Sequence, residues 1–241
     1  MPRNEVSDSG HETGWLVNEF GQRVGVPVDW HPAVPPGPVT LAGRWCSVVP
    51  LDLAHVPDLY AAFVPGPPGQ WTYLTFGPCT SQAEVAEVVS GYLANPGFVS
   101  FAILDAGGRA RGIAAYLRID PAIGTLEVGG ILLGEGLRRT AAATEAMWLL
   151  ARNAFEELGF RRYEWKCDAL NAPSRYAAQR LGFHFEGVWR QATVYKGRNR
   201  DTAWFAMTDR DWPGVSAAIQ AWLDPANVDA SGAQRTSLRI G

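Results

Sequence analysis

The sequence is short of the features that mark several large protein classes. Cysteine occurs three times in 241 residues, at Cys46, Cys79 and Cys167. The number is odd, the spacings are wide and no C-x-x-C pair occurs. A disulfide framework or a zinc finger is therefore excluded, and reduced thiols in a cytoplasm are expected. No run approaches about 18 apolar residues, so no membrane-spanning helix is expected. Residues Met1 to Glu19 carry charges and lack the apolar segment of a secretory signal. A basic excess is missing too. The formal net charge of −3 argues against a nucleic-acid partner. His31, His55 and His184 stand alone, without the carboxylate or cysteine spacing of a metal site.

What is present fits one domain with appendages. Hydrophobic residues make up 47% and charged residues 19%, enough apolar surface for a sizeable core. Pro27, Pro32, Pro35, Pro36 and Pro38 exclude a central strand or helix interior near the start. The reading is an extended proline-rich arm over 1–38, a compact domain over 39–213, and a C-terminal helix with a flexible tail over 214–241.

Inside the domain, helical spacing alternates with strand patterns. Strands are expected at 44–50, 98–104, 112–119, 126–133, 161–167, 183–194 and 201–207. Helices are expected at 54–64, 81–93, 140–158 and 172–181, with Thr80 or Ser81 capping the second. Gly159 and Gly182 stop the last two. The sum is an α+β fold with a mixed sheet.

Two segments carry chemistry. The first is Leu126 to Met147, in which an apolar strand enters a turn with two glycines, then two arginines, then a helix opening on small residues. A helix start leaves backbone N–H groups unpaired at its positive end and receives phosphate readily. Ala141, Ala142 and Ala143 allow close approach, and Arg138 and Arg139 add charge. Alone, this segment reads as an ordinary strand–turn–helix. The second is Tyr163 to Phe183, where a strand ends in a loop holding Asp168 and Asn171 before a helix. Asn171 is placed as an N-cap.

In this order and at this spacing the two segments resemble the GNAT acyltransferases, and more narrowly their RimJ/RimL-type branch. Arg138-x-x-Ala141-x-Ala143 is similar to the family's phosphate loop, with Ala141 in place of the usual glycine. Asn171, Ser174, Gly182 and Phe183 match its Asn-x-x-Ser…Gly-Phe pattern. The GRNRDTAW run, Gly197 to Trp204, also resembles this branch, and is otherwise a charged hairpin turn.

The resemblance implies a mostly antiparallel, seven-stranded sheet splayed between its fourth and fifth strands, flanked by helices. Acetyl-CoA would lie in the splay as cosubstrate, with no metal. Its pantetheine arm would pair with the backbone of Ile131, Leu132 and Leu133. Its pyrophosphate would rest on the N–H groups of Arg139, Thr140, Ala141, Ala142 and Ala143, near Arg138. Asn171 and Ser174 would face it from the other wall. A primary amine, either a small molecule or a protein N-terminus, would be the acceptor. The proline-rich arm leaves room for a homodimer.

Many family members protonate the leaving thiolate with a tyrosine four residues before Gly-Phe. That position is Ala178 here, which leaves Ser174 as the expected acid, or as a helix-start serine bonding backbone. Glu127, at the start of the fourth strand, is the first candidate for the base. Asp168 and Glu186 come after it, and Thr193 holds the penultimate-strand position where some relatives place a carboxylate. Trp71, Tyr73 and Phe76, after a proline-rich loop, are candidates for the acceptor floor, although aromatics at this density are usually core. The missing tyrosine, the replaced glycine and the absent penultimate-strand carboxylate keep a second reading open: a non-catalytic acyl-CoA-binding module.

Overall fold

A computed structural model describes residues 14–229 and 234–240. The chain divides into two units, residues 1–31 and 32–241. The described part of the first unit is a hairpin of β1 (Trp15–Val17) and β2 (Arg23–Gly25), where an extended arm was expected. Asn18 turns the chain by accepting the N–H groups of Phe20 and Gln22 on its Oδ1. The arm's first 13 residues lie outside the described residues. Its last part belongs to the second unit: Ala33 and Val34 donate their N–H groups to the carbonyls of Pro121 and Leu158.

The second unit holds an eight-stranded sheet. Its strands are β3 (Leu41–Ala42), β4 (Cys46–Pro50), β5 (Val99–Asp105), β6 (Ala110–Asp120), β7 (Thr125–Leu133), β8 (Arg162–Asp168), β9 (His184–Tyr195) and β10 (Arg198–Thr208). The spatial order is β3-β4-β5-β6-β7-β8-β10-β9. The two-residue β3 is the addition to the seven strands expected. Every pairing is antiparallel except β7 with β8.

Helices α1 (Val56–Phe63) and α2 (Gln82–Ala94) cover one face. Their core includes Leu59, Val85, Val89, Ala102, Ile113 and Leu132. Ser81 and Glu84 close a reciprocal capping box that starts α2. Helix α3 (Ala141–Arg152) covers the opposite face, where the Tyr116 hydroxyl donates to the Leu150 carbonyl. The helix expected over 140–158 widens at Asn153 into a single π turn, and Gly159, with φ +73°, ends it. Helix α4 is Ala172–Arg180, and α5 is Trp212–Leu223. The tail expected to be flexible folds back in its described part. Trp222 Nε1 donates to the Thr236 carbonyl, and Asn227 Oδ1 accepts from the N–H and the hydroxyl of Thr236.

Two features of β7 position the site. Its ladder with β8 runs only from Thr125–Arg162 to Glu127–Glu164. Beyond Glu127 the strands part, and among the described residues the β8-facing edge of β7 has no strand partner. The second feature is a bulge: Gly130 and Ile131 together oppose Ala114 of β6. Gly130 has φ +58° and its carbonyl accepts the Tyr92 hydroxyl at 2.7 Å. A Cβ there would stand 2.9 Å from the Tyr92 ring. Gly130→Ala is expected to destabilise the fold by about 1–3 kcal/mol, read by urea unfolding.

Candidate active site

Strand alternation sorts the chemistry around the parting. On β8, Tyr163, Trp165 and Cys167 are buried on one face, and Glu164, Lys166 and Asp168 share the other. The register Glu127–Glu164 puts Glu127 on that second face. The register of β10 adds Trp204 beside Lys166 and Thr202 beside Asp168. A cavity of about 760 Å³ opens here, lined by Tyr73, Phe76, Gly129, Gly130, Ile131, Glu127, Lys166, Asn171, Ser174 and Arg200, among others.

Glu127 is 2% exposed. Its Oε2 lies 3.1 Å from Lys166 Nζ and 3.7 Å from Arg118 Nε. The first contact is at ion-pair distance but off hydrogen-bond alignment, so Oε2 has no hydrogen-bond partner among the described residues. Burial pushes the carboxyl up to about 7, against the pull of Lys166 and Arg118. Arg118 projects from an irregular stretch of β6. Its φ is +50° within an irregularity between Leu117 and Asp120, and its guanidinium lies 4.9 Å from the Trp204 ring centre. It also approaches Glu164, which pairs with Arg162. The second-choice carboxylates are both engaged. Asp168 accepts the Tyr195 hydroxyl and the Leu170 N–H, each at 2.8 Å, and Glu186 pairs with Arg162.

On the far wall, Asn171 caps α4 by accepting the Ser174 N–H at 3.2 Å. The ordinary structural role foreseen for it is therefore filled, and it lines the cavity as well. Ser174 Oγ accepts Trp165 Nε1 at 3.0 Å, which leaves the hydroxyl proton to donate beside Cys167. Ala178 is fully buried, and Thr193 is exposed on β9 away from the cavity lining.

The turn before α3 departs from expectation in one amide. Thr140 is the N-cap, and its Oγ1 accepts the Ala143 N–H at 3.2 Å, so that amide is already taken. Among the described residues the N–H groups of Arg139, Thr140, Ala141 and Ala142 have no protein acceptor. Ala141 is the first residue of α3. The positive φ of the turn, +60°, falls on Arg139, so no glycine is required at 141. Arg138 is tied to the Leu133 carbonyl at 2.9 Å and to Gln70 Oε1 at 2.7 Å, which leaves three of its five donors. Thr140 and Ala142 line a separate groove of about 460 Å³ with Gly134 and Gly136. Ile131 lines the main cavity. Leu132 packs into the core under α1 and α2, and Leu133 pairs with Gly112.

The acceptor-floor candidates separate. Tyr73 and Phe76 line the cavity. Trp71 does not: it is 4% exposed and packs edge-on against Phe63 and Phe76, because the positive-φ Gly77 leaves room for its ring. The expected substrate contact at Trp71 is therefore corrected to a core position. Lys166, Arg118, Tyr195 and Arg200 were missed. Period-2 spacing from Glu164 would have found Lys166. Arg200 lines the cavity beside an irregular stretch of the β9–β10 hairpin, and Arg118 and Tyr195 contact the cavity-lining Glu127 and Asp168.

A family model described as "Acetyltransferase (GNAT) domain" matches residues 47–184. No curated protein matches the chain. A GCN5-related N-acetyltransferase from Brucella melitensis is 42% identical, with TM-score 0.84, covering 87% of this chain and 96% of that one. A GNAT-family protein of Chromobacterium violaceum ATCC 12472 is 36% identical, with TM-score 0.73, over 79% and 96% of the two chains. RimL, a ribosomal L7/L12 alpha-N-protein acetyltransferase, shares the fold at 21% identity and TM-score 0.62, over 73% and 99%. With a splayed sheet, a carboxylate where it parts, and these likenesses, the chain belongs to the GNAT acetyltransferase family.

Proposed function

We propose that the protein transfers an acetyl group from acetyl-CoA to a primary amine by direct attack, in the manner of the RimJ/RimL-type branch and in a cytoplasmic setting. The observation that carries this reading is the buried Glu127 carboxyl, facing the cavity where β7 leaves β8. An amine is protonated near neutral pH and cannot attack until it loses that proton. A carboxyl pushed up to about 7 by burial is matched to the task. The nitrogen then attacks the thioester carbonyl, the C–N bond forms and the C–S bond breaks. The departing thiolate takes the Ser174 hydroxyl proton, and the second proton leaving the nitrogen returns through water to Ser174.

Acetyl-CoA is a chemical match for what the chain leaves unpaired. The pantetheine amides suit the open edge of β7 over Ile131, Leu132 and Leu133. The pyrophosphate suits the free N–H groups of Arg139 to Ala142 and the remaining donors of Arg138. The oxyanion needs a donor, and the bulged backbone at Gly130 and Ile131 is where β7 presents one to the cavity.

The test is calorimetry with acetyl-CoA followed by an amine screen read by free-thiol release. Binding and amine-dependent thiol release are expected. Ser174→Ala should bind acetyl-CoA as tightly as the parent and turn over more slowly. Binding with no thiol release for any amine would favour a non-catalytic acyl-CoA-binding module.

A further inference from the structure

The run Gly197-Arg198-Asn199-Arg200-Asp201 reads in sequence as a charged hairpin turn, but Arg200 does not stay in solvent. The β9–β10 pairing shifts register between Arg200 and Thr202. Asp201 pins this irregularity by accepting the Gln191 N–H at 2.7 Å and Asn199 Nδ2 at 2.9 Å. Alternation sends Arg200 to the face opposite Asp201, the face of Thr202 and Trp204. There it lines the cavity that holds Glu127 and Ser174.

Its surroundings leave a donor over. Arg200 Nε is fully buried and has no hydrogen-bond partner among the described residues. The guanidinium lies 5.6 Å from the Tyr195 ring centre, a contact that does not satisfy an N–H. Asp168, a carboxylate lining the same cavity, has both oxygens engaged by Tyr195 and Leu170. Nε is closed off from the cavity, but Arg200 as a whole is half-buried and lines it, and a carboxylate suits the planar guanidinium fork.

The rim of the cavity has the other sign, with Glu84 and Glu87. Glu84 is consumed in the α2 capping box, where it accepts the Thr80 and Ser81 N–H groups, and Glu87 is exposed and screened by salt.

We propose that Arg200 is the anion subsite of the acceptor pocket, so that the amine accepted carries a carboxylate. This rests on the acetyl-transfer reading. It narrows the acceptor class to amino-acid-like amines: the nitrogen meets Glu127 and the carboxylate meets Arg200.

The test is calorimetry on the full chain, with and without CoA, using N-acetyl-amino acids and their carboxamides as product probes. At least one carboxylate should bind, with its carboxamide weaker by about 10- to 100-fold. Arg200→Gln should remove that difference and leave acetyl-CoA affinity unchanged, and Arg200→Lys should keep part of it. Equal binding of carboxamides, no binding of any carboxylate, a difference that persists in Arg200→Gln, or a loss of acetyl-CoA affinity in that variant would each overturn the proposal. Acetyl-CoA titration of the parent is read separately. Its failure would remove the transfer reading, while the probe comparison without CoA still reports on Arg200.

Discussion

Glu127→Gln is expected to lower kcat by about 10²- to 10⁴-fold, the range for loss of a general base, while acetyl-CoA affinity stays unchanged. The side chain is nearly isosteric and lies on β7 before the strands part, clear of the backbone edge assigned to the cosubstrate. For the parent, the carboxyl accepts a proton only when ionised, so kcat/KM should fall as pH drops through about 7. The variant should lack the break near 7 and keep only the dependence set by the amine's own protonation. An unchanged pH–rate profile would remove Glu127 from the mechanism.

Linkage gives a second readout with a definite sign. The folded carboxyl titrates above its unfolded value, so the folded state holds an extra proton between about 4.5 and about 7. The stability this group contributes is fully present below about 4.5 and is lost as pH rises through about 7. By the shift, the loss is roughly 3 kcal/mol at most. Glu127→Gln cannot titrate and should not show it. Urea unfolding of parent and variant at pH 4 and pH 8 checks this. The stability difference between them should move in the variant's favour at the higher pH.

Glu145→Ala should destabilise the protein by about 3–5 kcal/mol, the range for breaking a buried, charge-assisted set of hydrogen bonds. Glu145 is 4% exposed on α3. Its carboxylate accepts three consecutive backbone N–H groups, from Arg44 at 2.8 Å, Trp45 at 2.6 Å and Cys46 at 2.9 Å. The turn from β3 into β4 thus leaves three donors facing one carboxylate. The same carboxylate adds to the burial that pushes the Cys46 thiol up. Alanine would strand all three donors in a space water does not fill well. The melting temperature should fall by about 6–20 °C for a chain of this size, with Glu145→Gln between the two. A shift under about 2 °C would show the turn satisfied by other groups.

Much of this architecture was legible in the residues. Helical spacing with Ser81 and Glu84 three apart marks the start of α2, since a capping box is a local arrangement. Gly159 and Gly182 mark helix ends because both take positive φ, at +73° and +92°. Asn171 was legible as a cap because its partner, the Ser174 N–H, is three residues away. In these cases both partners sit within one turn of chain; the exception at that range is the Ala143 amide, which reads as free although Thr140, three residues before it, caps it.

Long-range partners were not legible. Trp71 reads as an acceptor contact because it follows a flexible-looking loop, yet Phe63 and Phe76 close over it and Gly77 makes the room. Arg200 reads as a turn residue until the irregular pairing with β9 turns it inward. Glu145 follows Thr144 without any local sign that its acceptors serve residues about 100 positions earlier.

The pyrophosphate reading of the strand–turn–helix and Glu127 as the carboxylate to watch are what the resemblance to the GNAT family implied; by itself, the sequence determined the element types and the helix caps. These depend on periodicity and short-range hydrogen bonding, which are written within a few residues. Only the tertiary structure decided that β7 and β8 part after Glu127, that Lys166 and Arg118 flank that carboxyl, and that Arg200 rather than Trp71 faces the cavity. The reason is physical. Ladder length, bulges and burial are set by which distant strands meet, and a titrating group responds to charges and solvent in space, wherever they lie in the chain.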